Sequence, residues 1–141
     1  MNAHAEYVLA DRLTKRRAQF AQALAMAFLA TQAADIMRPN TTVDVAFLIW
    51  AALLFVTAFF GAGWFRSATV REAMNDETTQ IHRRMAMACG FLVMLATAFI
   101  VALINLYKPV TLGEGLRLLI TLAVSATLLR FAGLEKRALN Q

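Results

Sequence analysis

Cysteine, proline and charge are all scarce in this chain of 141 residues. The single cysteine, Cys89, excludes an internal disulfide and reads as a small apolar residue within a helix. Two prolines and six glycines leave no room for a collagen-like or proline-rich disordered chain. Charged residues make up only 16% of the chain and hydrophobic ones 60%, against roughly 25% charge in a soluble domain, so a large soluble domain is excluded. Also absent are H-E-x-x-H, H-x-x-E-H, C-x-x-C, a phosphate loop and a nucleophile elbow. The two histidines, His4 and His82, lie far apart, and His82 reads as solvated or facing headgroups in preference to ligating haem. No catalytic residue, metal or cofactor is therefore expected.

What the chain has instead is four apolar blocks, at residues 18–37, 45–65, 85–107 and 116–132. The second and third carry no charge over 21 and 23 residues, long enough to cross about 30 Å of hydrocarbon. The fourth holds Arg117 and Arg130 near its ends, where long side chains can snorkel to headgroups. The first is alanine-rich and holds Gln19, Gln22, Gln32 and Asp35. It could be a cleaved leader, since Thr31-Gln32-Ala33 follows a basic stretch, but Glu6 and Asp11 are out of place in one. The expectation is an all-α integral membrane bundle of four helices in one domain.

Eleven of the 14 lysines and arginines lie in the N-terminal tail, in the central loop 66–84 or at the far end, with only Arg38, Lys108 and Arg117 on the opposite side. The positive-inside rule then puts both termini and that loop in the cytoplasm of a multi-pass inner-membrane protein. The net charge of +5 is explained by contact with the anionic lipid bilayer, and direct nucleic-acid binding is not expected.

An internal similarity runs at an offset of 70, with Asp35-Ile36-Met37-Arg38-Pro39 matching Asn105-Leu106-Tyr107-Lys108-Pro109 and Thr41 and Thr57 matching Thr111 and Thr127. Two helices per unit would make a parallel repeat. Each proline ends its helix, and the preceding Arg38 or Lys108 sits at the negative end of the helix dipole. Asp35 can pair with Arg38 one turn away, the reading preferred over an ion or proton site, and Asn105 stands as its neutral equivalent. Gln22, Gln32, Asp35 and Asn105 are the intramembrane polar residues expected to face the bundle or a second copy in a homodimer.

In the central loop, Thr69-Val70-Arg71-Glu72 fits a capping box, and Asn75-Asp76 offers a helix start that continues through Glu77 into the third span. Tyr7, Val8, Leu9 and Leu13 among charges suggest a second surface helix over residues 5–17. The stretch Asn75-Asp76-Glu77-Thr78-Thr79-Gln80-Ile81-His82-Arg83-Arg84-Met85-Ala86, followed by Gly90-Phe91, resembles small bacterial membrane proteins of unknown function. Their genes often lie beside one for a short helix-turn-helix regulator of the Cro/CI type. The resemblance implies a membrane-bound controller of a DNA-binding partner. Two classes follow. In one, Arg71, Asp76, Glu77, Arg83 and Arg84 dock a cytoplasmic protein; in the other, the bundle is a small transporter or an accessory subunit of a membrane complex.

Overall fold

A computed structural model describes residues 3–36, 45–60 and 77–138 of the chain, with side chains for 12–34, 45–54, 56 and 77–138. The described residues form four helices and no strand: α1 (Ala3–Ile36), α2 (Val45–Phe60), α3 (Glu77–Asn105) and α4 (Leu112–Ala138). The all-helical class is thus the one expected. Two helices, α3 and α4, are long and apolar enough to cross a membrane, whereas α2 contributes a shorter apolar helix.

Local chemistry sets the ends. No glycine or proline interrupts Ala3–Ile36, and alanine, leucine, arginine and glutamine are strong helix formers. The tail expected to be a separate surface helix is therefore fused to the first apolar block as one α1. Glu77 starts α3 with an acidic side chain at the positive end of its dipole, as the Asn75-Asp76 start predicts. At the other end of α3, Lys108 N–H donates to the Ile104 carbonyl at 2.9 Å, and Asn105 Oδ1 accepts from the Val110 N–H at 2.9 Å. Asn105 thus fastens the turn through Pro109 by a backbone bond, not by the side-chain pairing with Lys108 that the motif suggested. α4 opens on a reciprocal cap. Glu114 Oε2 accepts from the Thr111 N–H at 3.0 Å and its hydroxyl at 2.9 Å, while Thr111 Oγ1 accepts from the Glu114 N–H at 3.3 Å.

The last helix is the central one. α1 and α3 both pack along α4, and α2 touches it more lightly. The partners run in opposite order, since Arg17 meets Glu135 and Gln32 meets Arg117 across α1 and α4. On α1 the buried residues Ala18, Ala21, Ala25, Phe28 and Gln32 recur every three or four positions, a narrow heptad-like seam. Ala23, Ala27, Ala30, Ala33 and Ala34 lie off that seam and are exposed. Ala21, Ala25, Ala86, Leu128, Phe131 and Ala132 form one apolar cluster. Phe28, Phe47, Ala51 and Leu54 form a second, in which the rings of Phe28 and Phe47 stack with centroids 6.0 Å apart.

α3 turns its small residues inward and its large ones outward. Ala86, Gly90 and Thr97 are buried, whereas Phe91, Leu92, Leu95, Phe99 and Leu103 are exposed. The close approach to α4 depends on Gly90, where an added Cβ would overlap Thr127 Oγ1 and lie 3.1 Å from the Ala123 carbonyl. Thr127 is itself held, its hydroxyl donating to that carbonyl at 2.8 Å. Small residues at the seam are how helices approach when apolar side chains gain nothing by meeting, as in lipid.

Candidate functional site

Polar side chains gather at the two ends of the α1–α4 seam. At the end nearer the chain termini, Glu135 is buried to 2% exposure among α1, α3 and α4. Its Oε2 accepts from Arg17 Nη2 at 2.7 Å, and its Oε1 lies 3.2 Å from His82 Nδ1. With the proton on that nitrogen, His82 donates to the carboxylate. Arg17 also reaches Thr79 Oγ1 at 3.5 Å, and its guanidinium lies 5.2 Å from the centre of the Phe131 ring.

Arg83 is the fourth charged member. Burial pulls its guanidinium below the ordinary value, the nearby positive charge of Arg17 adds to this, and Glu135 opposes both. One carboxylate therefore serves two guanidinium groups. The shortage shows in the hydrogen bonding, because Arg17 Nε and Arg83 Nε are buried without a partner. Among the described residues no third His, Cys, Asp or Glu joins His82 and Glu135 in a cluster that could hold a metal. The geometry is that of a clamp, one buried carboxylate tying three helices together through Arg17 of α1 and His82 of α3.

The opposite end is built on Arg117, 7% exposed. Its Nε donates to Gln32 Oε1 at 2.8 Å and its guanidinium lies 5.2 Å from the centre of the Phe47 ring. Arg117 was expected to snorkel outward from the fourth block; it turns inward because α1 offers it an amide oxygen and α2 an aromatic face. Between the two ends, Thr121 and Ser125 point hydroxyls into the bundle, and neither has a hydrogen-bond partner. Arg117, Thr121, Ser125, Leu128, Ala132 and Glu135 form a continuous buried stripe along α4.

The sequence-predicted site residues are dispersed relative to this arrangement. Gln32 is buried on Arg117, and Gln22 is exposed at the bundle surface, where it accepts from Lys136 Nζ. Asn105 is exposed and holds the α3–α4 turn. Glu77 and Arg84 are exposed on the first turns of α3, whereas Arg83 is drawn half-buried toward the clamp. His82, expected to face water or headgroups, is turned inward against Glu135 with its side chain 13% exposed. Arg71, Asp76 and the side chain of Asp35 lie outside the described residues. Of the two residues that organise the interior, Glu135 was not singled out by sequence reasoning and Arg117 was read only as a snorkelling side chain. Their signal is register: Glu135 follows Leu128 by seven residues and Arg117 precedes Thr121 by four, on the same face of the helix.

No protein-family model, curated protein or solved structure matches the chain.

Proposed function

We propose that the protein is a multi-pass inner-membrane bundle of four spans and two parallel hairpin repeats, with both termini inside, that docks a cytoplasmic protein. The outward-facing large residues of α3 support membrane residence, since a soluble protein would have to bury them. The rise from Arg117 to Glu135 along α4 is about 27 Å, close to the hydrocarbon thickness of about 30 Å, which sets the two buried charges near opposite interfaces.

The observation that carries the docking function is the sorting of charge at the clamp end. Arg17, His82, Arg83 and Glu135 turn inward and fix the helices, while Arg12, Lys15, Arg16, Glu77, Arg84, Lys136 and Arg137 are exposed around them. A rigid base carrying outward cations suits an acidic surface on a partner. The resemblance at residues 75–91 suggests a helix-turn-helix regulator as that partner.

The test is co-purification from the native host in mild detergent, comparing the natural chain with a Glu77→Lys, Arg84→Glu double variant. Recovery of a DNA-binding protein that is lost in the variant is the expected result. Recovery of no cytoplasmic protein, or equal recovery from both chains, overturns the docking function.

A second reading, a small transporter or accessory subunit, is favoured by the unpartnered hydroxyls of Thr121 and Ser125 inside the α4 stripe. It requires flux across proteoliposomes that falls when Ser125 is replaced by valine.

A further inference from the structure

A cavity of about 380 Å³ lies where α3 turns into α4, lined by Val101, Ile104, Lys108, Val110, Glu114 and Arg117 among others. That volume falls in the range of small-ligand sites, about 300–1,000 Å³. Its walls are fixed by the bonds already described: Asn105 holds the turn that presents Lys108 and Val110, and the Thr111–Glu114 cap holds Glu114. The carboxyl of Glu114 is kept below the ordinary carboxylate range by the Thr111 N–H and then the Thr111 hydroxyl, against an opposing effect of desolvation that exceeds the lesser lowering by the charge of Lys108. Both bonds from Thr111 fall on Oε2, so Oε1 carries no hydrogen bond among the described residues.

The lining therefore combines three chemistries in one small space. Lys108 and Arg117 supply positive charge, Glu114 supplies negative charge, and Val101, Ile104, Val110 and Leu118 supply an apolar wall continuous with the exposed face of α3. A purely anionic ligand would meet Glu114, and a purely cationic one would meet Lys108 and Arg117. An amphiphile bearing both charges meets neither penalty.

We propose that this cavity binds the headgroup of a zwitterionic phospholipid with a primary amine, its phosphate on Lys108 and Arg117 and its ammonium on Glu114. The acyl chains leave along the apolar wall into the bilayer. A choline headgroup presents no N–H to Glu114, and a glycerol headgroup presents no cation. The site rests on the membrane residence proposed above, which fractionation tests separately: release of the protein by alkaline carbonate would remove membrane residence itself, whatever the lipid results.

The experiment is native mass spectrometry of the detergent-solubilised protein equilibrated with phosphatidylethanolamine, phosphatidylcholine and phosphatidylglycerol of matched chains. The expected result is retention of the ethanolamine lipid about three- to tenfold above the other two, the net worth of one hydrogen bond at a solvent-open site. Lys108→Ala lowers retention of the ethanolamine lipid by about the same factor. Glu114→Gln, which preserves the helix cap, abolishes the preference for ethanolamine over choline. Equal retention of all three lipids, or a preference unchanged in both variants, overturns the proposal. So does protection of Lys108 from amine labelling by inorganic phosphate alone with no lipid retained, which would mark a free-phosphate site.

Discussion

Replacing Glu135 by glutamine tests the clamp directly. The change keeps the shape of the side chain and an acceptor oxygen for His82, removes the negative charge, and puts an amide NH2 in place of the oxygen that accepts from Arg17. Arg17 and Glu135 approach to 2.7 Å, which corresponds to an attraction of about 6 kcal/mol at an effective dielectric of about 20. Desolvation of both ions offsets much of this, so removing one partner of such a buried pair costs about 3–5 kcal/mol. The upper part of that range is expected here, because Arg83 loses the same counter-charge and the repulsion between it and Arg17 is left unopposed. The assay is denaturant titration of the protein in detergent micelles, with Glu77→Gln on the exposed first turn of α3 as the control. A companion variant sharpens the test. Arg17→Met with Glu135→Leu removes both charges, relieves the pair Arg17–Arg83 and restores most of the stability, since a hydrophobic substitute for a buried ion pair is often neutral or better. A loss of less than about 1 kcal/mol in Glu135→Gln, the value of a solvent-exposed pair, would refute the clamp.

Three further outcomes follow from the packing and the caps. Gly90→Ala forces α3 and α4 apart and destabilises the bundle by about 1–3 kcal/mol, whereas Gly133→Ala, with no atom within 4 Å of the added Cβ, stabilises it by about 0.4–1 kcal/mol; the same titration reads both. Ser125→Ala and Thr121→Val delete buried hydroxyls that have no partner and leave stability equal or raised, and a loss above about 1 kcal/mol would show that each hydroxyl is bonded. Glu114 has a lowered carboxyl pKa, so the part of its contribution to the α4 cap that depends on charge is complete above the ordinary carboxylate range and is lost as pH falls through the lowered folded value. Amide exchange at Thr111 and Glu114 should accelerate on acidification in the natural chain and show no such step in Glu114→Gln.

Local signals were legible and distant ones were not. The start of α3 at Glu77 follows from Asn75-Asp76 and the acidic first turn, and its end at Asn105 from Pro109 four residues on, because caps and proline act within one turn of themselves. The run of alanines in α1 signals close packing, but not which alanines pack: with so many small residues, the seam through Ala18, Ala21 and Ala25 is hidden among Ala23, Ala27 and Ala30. Arg117 was misjudged, and Glu135 passed over, for a different reason. A charge near the end of an apolar run reads as solvated unless a partner is known, and here the partners are Gln32 and Arg17, 85 and 118 residues away along the chain. Glu135 and Lys136 are adjacent, yet only Glu135 faces the seam, a difference that composition does not carry.

The central position of α4 also governs the order in which the protein can be made. Arg17 leaves the ribosome 118 residues before Glu135, an interval of roughly 6–24 s at about 5–20 residues per second. During that time α1 and α3 lack the helix on which each packs most extensively, and Arg17, His82 and Gln32 lack the side chains of α4 that they bond. Assembly is therefore a single late event set off by the arrival of one helix. A nascent chain that stalls within α4 remains a set of helices whose seam residues are uncovered, the kind of exposed intermediate that cellular quality control removes.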